Sequence, residues 1–277
     1  MFEIFTHSFM VYALIIGLTL GIGAALLSSF LVLNNQSMIA DGLSHVAFTG
    51  IIFGLLSFPD QPIYVALPIA IIASIVITYL SQLKMVEHDA AIGVISALSL
   101  AIGLITVSLA KEGFSRDIES LLTGYILSAS FTDVILSILS LIVVAIFIIF
   151  LYRQLLSSSY DQTFAQFSKV NHKLLKYLLS ALTATFIVIG VRTVGMLLVS
   201  SFIIFPSLIA SQFSKSFKQN IWLSVLIAGI VVTFSMMASF MMSLSDIIDL
   251  PTGPTIVITY SIALMASILY RKFAKKT

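Results

Sequence analysis

Nine apolar runs follow one another along this chain, each about the length that a membrane crossing needs. They cover residues 10–33, 38–57, 62–83, 91–110, 131–152, 174–190, 193–213, 219–243 and 252–270. A spanning helix must offer roughly 20 mostly apolar residues to the hydrocarbon core. Only 9% of the 277 residues are charged, against roughly 25% in a soluble domain. No water-soluble core could hide so much apolar surface, so the solvent is lipid. Lipid obliges each segment to satisfy its own backbone hydrogen bonds, and the runs lack the alternation of a membrane barrel. The sequence therefore predicts an all-α polytopic membrane protein with about nine transmembrane helices. Eight is the alternative count, and it requires two segments to fuse. Asn34, Asn35, Gln36 and Ser37 interrupt the first apolar stretch, which allows that turn to lie inside the membrane. The apolar piece 121–130 is too short to span and reads as an outer-face helix. Residues 1–277 form one transmembrane domain, with no internal repeat and no separate soluble domain.

The basic residues orient these spans. With nine spans, Lys84, Arg153, Lys169, Lys173, Lys176, Lys215, Lys218, Arg271, Lys272, Lys275 and Lys276 fall on one side. Those are eleven of the fourteen basic residues. Lys111, Arg116 and Arg192 fall on the other. Cytoplasmic loops are the positive ones, so the N-terminus is expected outside and the C-terminus in the cytoplasm. Residues 1–9 contain no Lys or Arg, so they lack the basic region of a cleavable signal and the first span is expected to stay. The net charge of +2 says little about partners, and no nucleic acid is expected among them.

Asp41 and His45 stand four residues apart in one of these apolar stretches. An ionisable side chain at membrane depth is costly and is by default a functional-site hypothesis. The i, i+4 spacing places both on one helix face. A carboxylate and an imidazole supply half of a four-ligand site for a borderline cation such as zinc. The chain has no cysteine, so no thiolate can contribute. Each residue also has an ordinary alternative. Asp41 could cap the second span, and His45 could be a buried neutral histidine donating to a backbone carbonyl. Glu87, His88 and Asp89 form a second dense cluster, read as acidic residues favoured by the start of the next helix, with a release or sensing site as the alternative. His7, Glu3, Asp60, Glu112, Asp117, Glu119, Asp246 and Asp249 are read as scattered groups near the outer face.

Gly17 with Gly21, and Gly50 with Gly54, have the spacing that lets helix backbones approach closely. Pro206 lies inside a predicted span, where it removes a backbone hydrogen bond and makes a possible hinge. Ser200 and Ser201 are the candidates to satisfy the carbonyl it frees. Pro251, Gly253 and Pro254 shape the start of the last span. No phosphate-binding Gly-x-x-x-x-Gly-Lys-Ser/Thr loop is present, so any ATP must be hydrolysed by a partner. Residues 153–173 form the best docking loop. Within it Tyr160, Asp161, Phe164, Ala165 and Phe167 form an amphipathic stretch suited to a partner's groove. An interfacial helix lying on lipid headgroups is the competing reading.

Four stretches carry a resemblance: QSMIADGLSHVAFTG at 36–50, YDQTFA at 160–165, VGMLLVSSFIIFPSLIA at 194–210 and DLPTGPTI at 249–256. In this order they resemble the permease subunit of the bacterial ABC importers for zinc, manganese and iron(II), the ABC-3 family, nearly end to end. The chain departs from the family's usual pattern at 168–171, where a Gly is common, and at Asn34 and Asn35, where an Arg is common. The resemblance implies a type II importer fold, similar to that of the cobalamin and siderophore importers. It implies a homodimer of two permeases above two ABC ATPase subunits, fed by an extracytoplasmic metal-binding protein, in the bacterial cell membrane. It implies that Asp41 and His45 bind metal in the pathway and that residues 160–167 are the coupling helix on the ATPase.

The function expected is therefore that of a transport subunit, not an enzyme. It would move a divalent ion and hold no permanent cofactor. Imidazole ligation and the wording of residues 36–46 favour zinc over manganese. An ATP-independent secondary transporter or channel is the alternative. An intramembrane hydrolase is disfavoured because no His-Glu-x-x-His and no recognisable Ser/His setting occurs.

Overall fold

The computed structural model describes residues 8–82, 87–109, 130–160, 171–244 and 251–274. Within them the chain forms nine α-helices and no strand. They are α1 (Ser8–Leu33), α2 (Ile39–Ser57), α3 (Ile63–Gln82), α4 (His88–Leu109), α5 (Phe131–Tyr160), α6 (His172–Val194), α7 (Met196–Ser211), α8 (Phe217–Leu244) and α9 (Thr252–Ala274). Eight are long and apolar enough to cross a bilayer; α7, with 16 residues, is shorter. At 1.5 Å per residue α7 reaches about 24 Å, less than the roughly 30 Å of a hydrocarbon core. The shortfall is tolerable because α7 packs inside protein rather than against lipid. Its Leu198, Val199, Phe202 and Ile203 are fully buried.

The boundaries follow from local chemistry. At the end of α1, Asn35 adopts φ 56°, a left-handed conformation that Asn tolerates better than most residues. The Gln36 amide donates to the Leu31 carbonyl and the Asn35 amide to that of Val32, the paired bonds of a Schellman stop. The polar interruption seen in the sequence is thus a helix terminator. Between α6 and α7, Gly195 adopts φ 86°, ψ 159°, a region essentially reserved for glycine. The two segments are therefore separate helices and are not fused. The start of α5 is closed by a capping box. The Ser130 amide and hydroxyl donate to Asp133 Oδ2, and the Asp133 amide returns a bond to the Ser130 hydroxyl.

Helix α5 continues eight residues past the predicted limit of 152. Leu155 and Ser158 in that extension are buried, and the Tyr160 ring meets Phe217 edge-on at 6.3 Å. Packing, not apolar length, sets where this helix ends. The predicted helix at 121–130 lies outside the described residues, apart from Ser130.

Helices α1, α2, α6 and α7 form the centre. Around them α1 packs on α5, α7 and α8; α2 packs on α3, α4 and α6; α3 packs on α6; and α7 packs on α8 and α9. The outer faces of α3, α4, α5, α8 and α9 carry exposed Ile72, Leu109, Phe150, Trp222 and Ile262. Such residues suit lipid or a second apolar protein surface. The expected close approach at Gly50 and Gly54 is present. A Cβ on Gly50 would lie 2.8 Å from the Ala66 Cα, and one on Gly54 would strike the Pro62 carbonyl. The α2–α3 contact therefore depends on the missing side chains. Gly21 also faces a neighbour, with Val232 of α8 3.2 Å from its hypothetical Cβ.

Helix ends sort into two layers. The C-terminal ends of α1, α5 and α7 meet the start of α8. Arg271 near the end of α9 donates to Gln212 just after α7. The starts of α1 and α5 meet through Tyr12 and Phe131. Arg192, near the end of α6, lies 3.8 Å from Asp133 at the start of α5. The first and last described helices thus point their chain ends to opposite layers, as an odd number of alternating helices requires.

Candidate metal-binding site

Helix α2 begins one residue after Met38, which occupies the N-cap position without a side-chain capping bond. Asp41 follows in the first turn. One turn on, His45 Nε2 lies 3.9 Å from Asp41 Oδ2. That separation is too long for a direct hydrogen bond. Two ligands about 2.1 Å from a single zinc ion at a tetrahedral angle stand about 3.4 Å apart. A small rotamer change would bring both onto one ion.

Neither ordinary role is taken. Asp41 is not the N-cap residue, and its carboxylate accepts no backbone amide among the described residues. His45 Nδ1 is buried and has no hydrogen-bond partner, so this imidazole does not donate to a carbonyl. The Asp41 side chain is 50% exposed and that of His45 18%. The pair thus has a reachable oxygen and an anchored ring.

The flanking residues aim this face. Helical residues advance about 100° each, so the Asp41/His45 face lies between that of Gly42 and that of Ser44. Gly42 packs against Ile92 of α4, where a Cβ would not fit. The Ser44 hydroxyl donates to the Ala40 carbonyl at 2.7 Å and meets the Ser200 hydroxyl of α7 at 3.2 Å. The pair therefore emerges between α4 and α7. Among the described residues no group of three or more His, Asp, Glu or Cys side chains comes together. One chain brings two side chains of ligand type together at this place.

The structure places the other candidates as follows. Tyr160 ends α5 and is exposed. Asp161, Phe164, Ala165 and Phe167 lie outside the described residues. Pro206 is buried within α7. The hydroxyls of Ser200 and Ser201 donate to the Met196 and Leu197 carbonyls. They are therefore not spent on the Phe202 carbonyl that Pro206 leaves free, because each hydroxyl has one proton and it is used a turn earlier. Beside that turn the fully buried Tyr260 ring stacks on Phe205 and meets Phe202 edge-on. Helix α4 starts at His88, with Asp89 in its first turn and both Glu87 and Asp89 exposed. His172 opens α6 behind an Asn171 cap that accepts the Leu174 amide at 3.1 Å.

Two polar clusters escaped the sequence reading. Asp133 and Arg192 tie α5 to α6 in one layer. In the opposite layer Asn220 Oδ1 accepts the hydroxyls of Ser29 and Ser207, joining α1, α7 and α8. Asn220 is a buried polar residue at the start of an apolar run, so the reasoning that singled out Asp41 also applies to it.

The ABC 3 transport family matches residues 6–271. The chain belongs to this family. Its relatives include the "Manganese import system permease protein ScaB" of Streptococcus gordonii, 32% identical over 220 residues, covering 78% of this chain and 77% of that protein. They also include the "High-affinity zinc uptake system membrane protein ZnuB" of Haemophilus influenzae, 26% identical over 261 residues, with 94% and 97% covered. The fold is similar to that of "PsaBC from Streptococcus pneumoniae in complex with Fab", with TM-score 0.80, 27% identity and coverage of 94% and 91%. Membership of the ABC 3 family agrees with the resemblance read from the four sequence stretches.

Proposed function

We propose that this chain is the permease subunit of an ABC importer for a divalent metal ion, zinc or manganese. Family membership and the transport names of its relatives support the class. The single observation that carries the metal reading is the Asp41–His45 pair, 3.9 Å apart on one helix face, with Asp41 not the N-cap and His45 Nδ1 unpartnered. The chain itself would not hydrolyse ATP, since it holds no phosphate loop.

A tetrahedral ion needs four ligands, and one chain offers two. A homodimer would bring two Asp41 and two His45 together between its halves. ATPase subunits would dock on residues 160–167, and an extracytoplasmic binding protein would deliver the ion to the outer face. The N-terminus would lie outside and the C-terminus in the cytoplasm, in agreement with the positive layer of Lys215, Lys218, Arg271 and Lys272. His45 favours zinc, whereas the relatives include both a manganese and a zinc permease.

Transport needs two states with different affinity for the ion. The Ser44–Ser200 contact links the ligand-bearing turn of α2 to α7, whose interior proline loosens one backbone bond. Movement of α7 would thus be felt at the ligands. Uptake of radioactive zinc and manganese into vesicles holding the permease, its ATPase and its binding protein tests the proposal. Accumulation must require ATP. ATP-independent uptake by the permease alone would replace this reading with that of a secondary transporter or channel.

A further inference from the structure

We propose that the pocket enclosed by the ends of α1, α5 and α7 and the start of α8 binds the phosphate headgroup of an anionic membrane lipid. Its volume is about 290 Å³. Ser29 and Val32 line it from α1, Tyr160 from α5, Ser211 from α7, and Ser214, Lys215 and Ser216 from the connection into α8.

The donors are what decide the ligand. The Ser29 and Ser207 hydroxyls are spent on Asn220 Oδ1, and that of Ser211 on the Leu208 carbonyl. Asn220, itself 8% exposed, spends its amide on the Ser207 carbonyl and the Ser214 hydroxyl oxygen. This closed network forms the pocket's floor. Beside it, the hydroxyl protons of Ser214 and Ser216 and the Lys215 ammonium have no acceptor among the described residues. Ser214 and Ser216 serve only as acceptors, for Asn220 and for the Gln219 amide. No Asp or Glu is among the described lining residues. A cavity that presents a cation and unspent O–H donors, with no carboxylate among its described lining residues, favours an oxyanion over a metal cation.

Its place selects the source. The pocket opens at the junction of two apolar helices, the level of the headgroups. Lys218 follows the lining residue Phe217 in sequence, and Trp222, 68% exposed, lies about one and a half turns further along α8 than Phe217. Tryptophan at a membrane–water boundary marks the interfacial belt. Basic pockets between membrane helices at that level take anionic headgroups. The site lies away from Asp41 and His45 and does not depend on the metal reading.

The test uses the full-length chain in phosphatidylcholine nanodiscs doped with phosphatidylglycerol. Binding of phosphatidylglycerol is followed by native mass spectrometry and by the shift in Tm. We expect selective retention of phosphatidylglycerol, a rise in Tm, and affinity weakened about fivefold by Lys215→Gln, the loss of one lysine–headgroup attraction. Lys215→Arg should keep both readouts. Lys215 is exposed, so its replacement leaves the fold intact, and circular dichroism checks this. Three results overturn the proposal: no preference for phosphatidylglycerol over phosphatidylcholine, unchanged affinity in Lys215→Gln, or the whole Tm shift reproduced by inorganic phosphate alone.

Discussion

Asp41 Oδ2 and His45 Nε2 face each other at 3.9 Å across one turn of α2, while the other nitrogen of that imidazole is buried and unpartnered. A carboxylate used as a cap would bond a backbone amide, and a structural histidine would bond a carbonyl. Asp41→Asn keeps the shape of the side chain and removes its charge. His45→Phe keeps an aromatic body and removes the nitrogens. Both variants should insert into the membrane at normal levels. Metal uptake should fall by at least about tenfold, the lower end of what even outer-shell partners of a metal site cost. Radioactive zinc and manganese uptake, with expression checked by blot, measures it. Near-normal uptake by Asp41→Asn would remove Asp41 from the pathway.

The α2–α3 contact predicts a contrast between two glycines. A Cβ at Gly54 meets the Pro62 carbonyl, whereas one at Gly229 meets nothing within 4 Å. Gly54→Ala should cost about 1–3 kcal/mol, the usual range for overpacking. Gly229→Ala should be neutral or stabilise by up to about 1 kcal/mol, through helix propensity. Thermal unfolding in detergent distinguishes them, and equal Tm values would contradict the packing described here.

Asn220 holds two hydroxyls from two other helices. Asn220→Leu leaves the Ser29 and Ser207 protons without their acceptor in a buried place. The cost should be about 1–3 kcal/mol. Restoring apolar partners with Ser29→Ala and Ser207→Ala in the same chain should recover part of it. A triple variant as unstable as Asn220→Leu alone would show that the network is not the cause.

The alternating direction of the nine described helices makes a topological prediction. A reporter fused after Thr277 should be active only in the cytoplasm. Because the chain has no cysteine, a single cysteine introduced in place of Ser130 can be labelled without background. It should react with an impermeant reagent from outside. Labelling from the cytoplasmic side only would invert the orientation.

Docking of the ATPase is expected on residues 160–167. Phe164→Ser combined with Phe167→Ser should reduce co-purification of the ATPase subunit several-fold and leave the permease in the membrane. Full pull-down with normal transport would move the docking surface elsewhere.

Much of the helical layout was legible because lipid makes local rules strict. Each span must be apolar and must close its own hydrogen bonds, so apolar runs located all nine described helices, and the break at Gly195 showed that α6 and α7 are separate. Boundaries were less legible where partners decide them. The extension of α5 through Arg153 to Tyr160 looks too polar to span, yet Leu155 and Ser158 are buried by neighbouring helices. The capping box of Ser130 and Asp133 has the right residue types at the right spacing, but it went unread among the other polar residues of that stretch. The pairing of Asp133 with Arg192 was not, because it joins helices far apart in sequence.

At the candidate site the sequence by itself determined that a carboxylate and an imidazole share one face of a membrane helix, since i, i+4 spacing fixes direction around the axis. Tertiary structure decided what that face meets. It set Gly42 against Ile92 and Ser44 against Ser200, so that Asp41 and His45 emerge between α4 and α7. It also decided that the Ser200 and Ser201 hydroxyls turn back on their own helix, and that Asn220 gathers serines from α1 and α7. The physical reason is range. Hydropathy and helical spacing act within one segment, whereas the partner of a buried polar group is set by which helices pack together, and no local pattern records that.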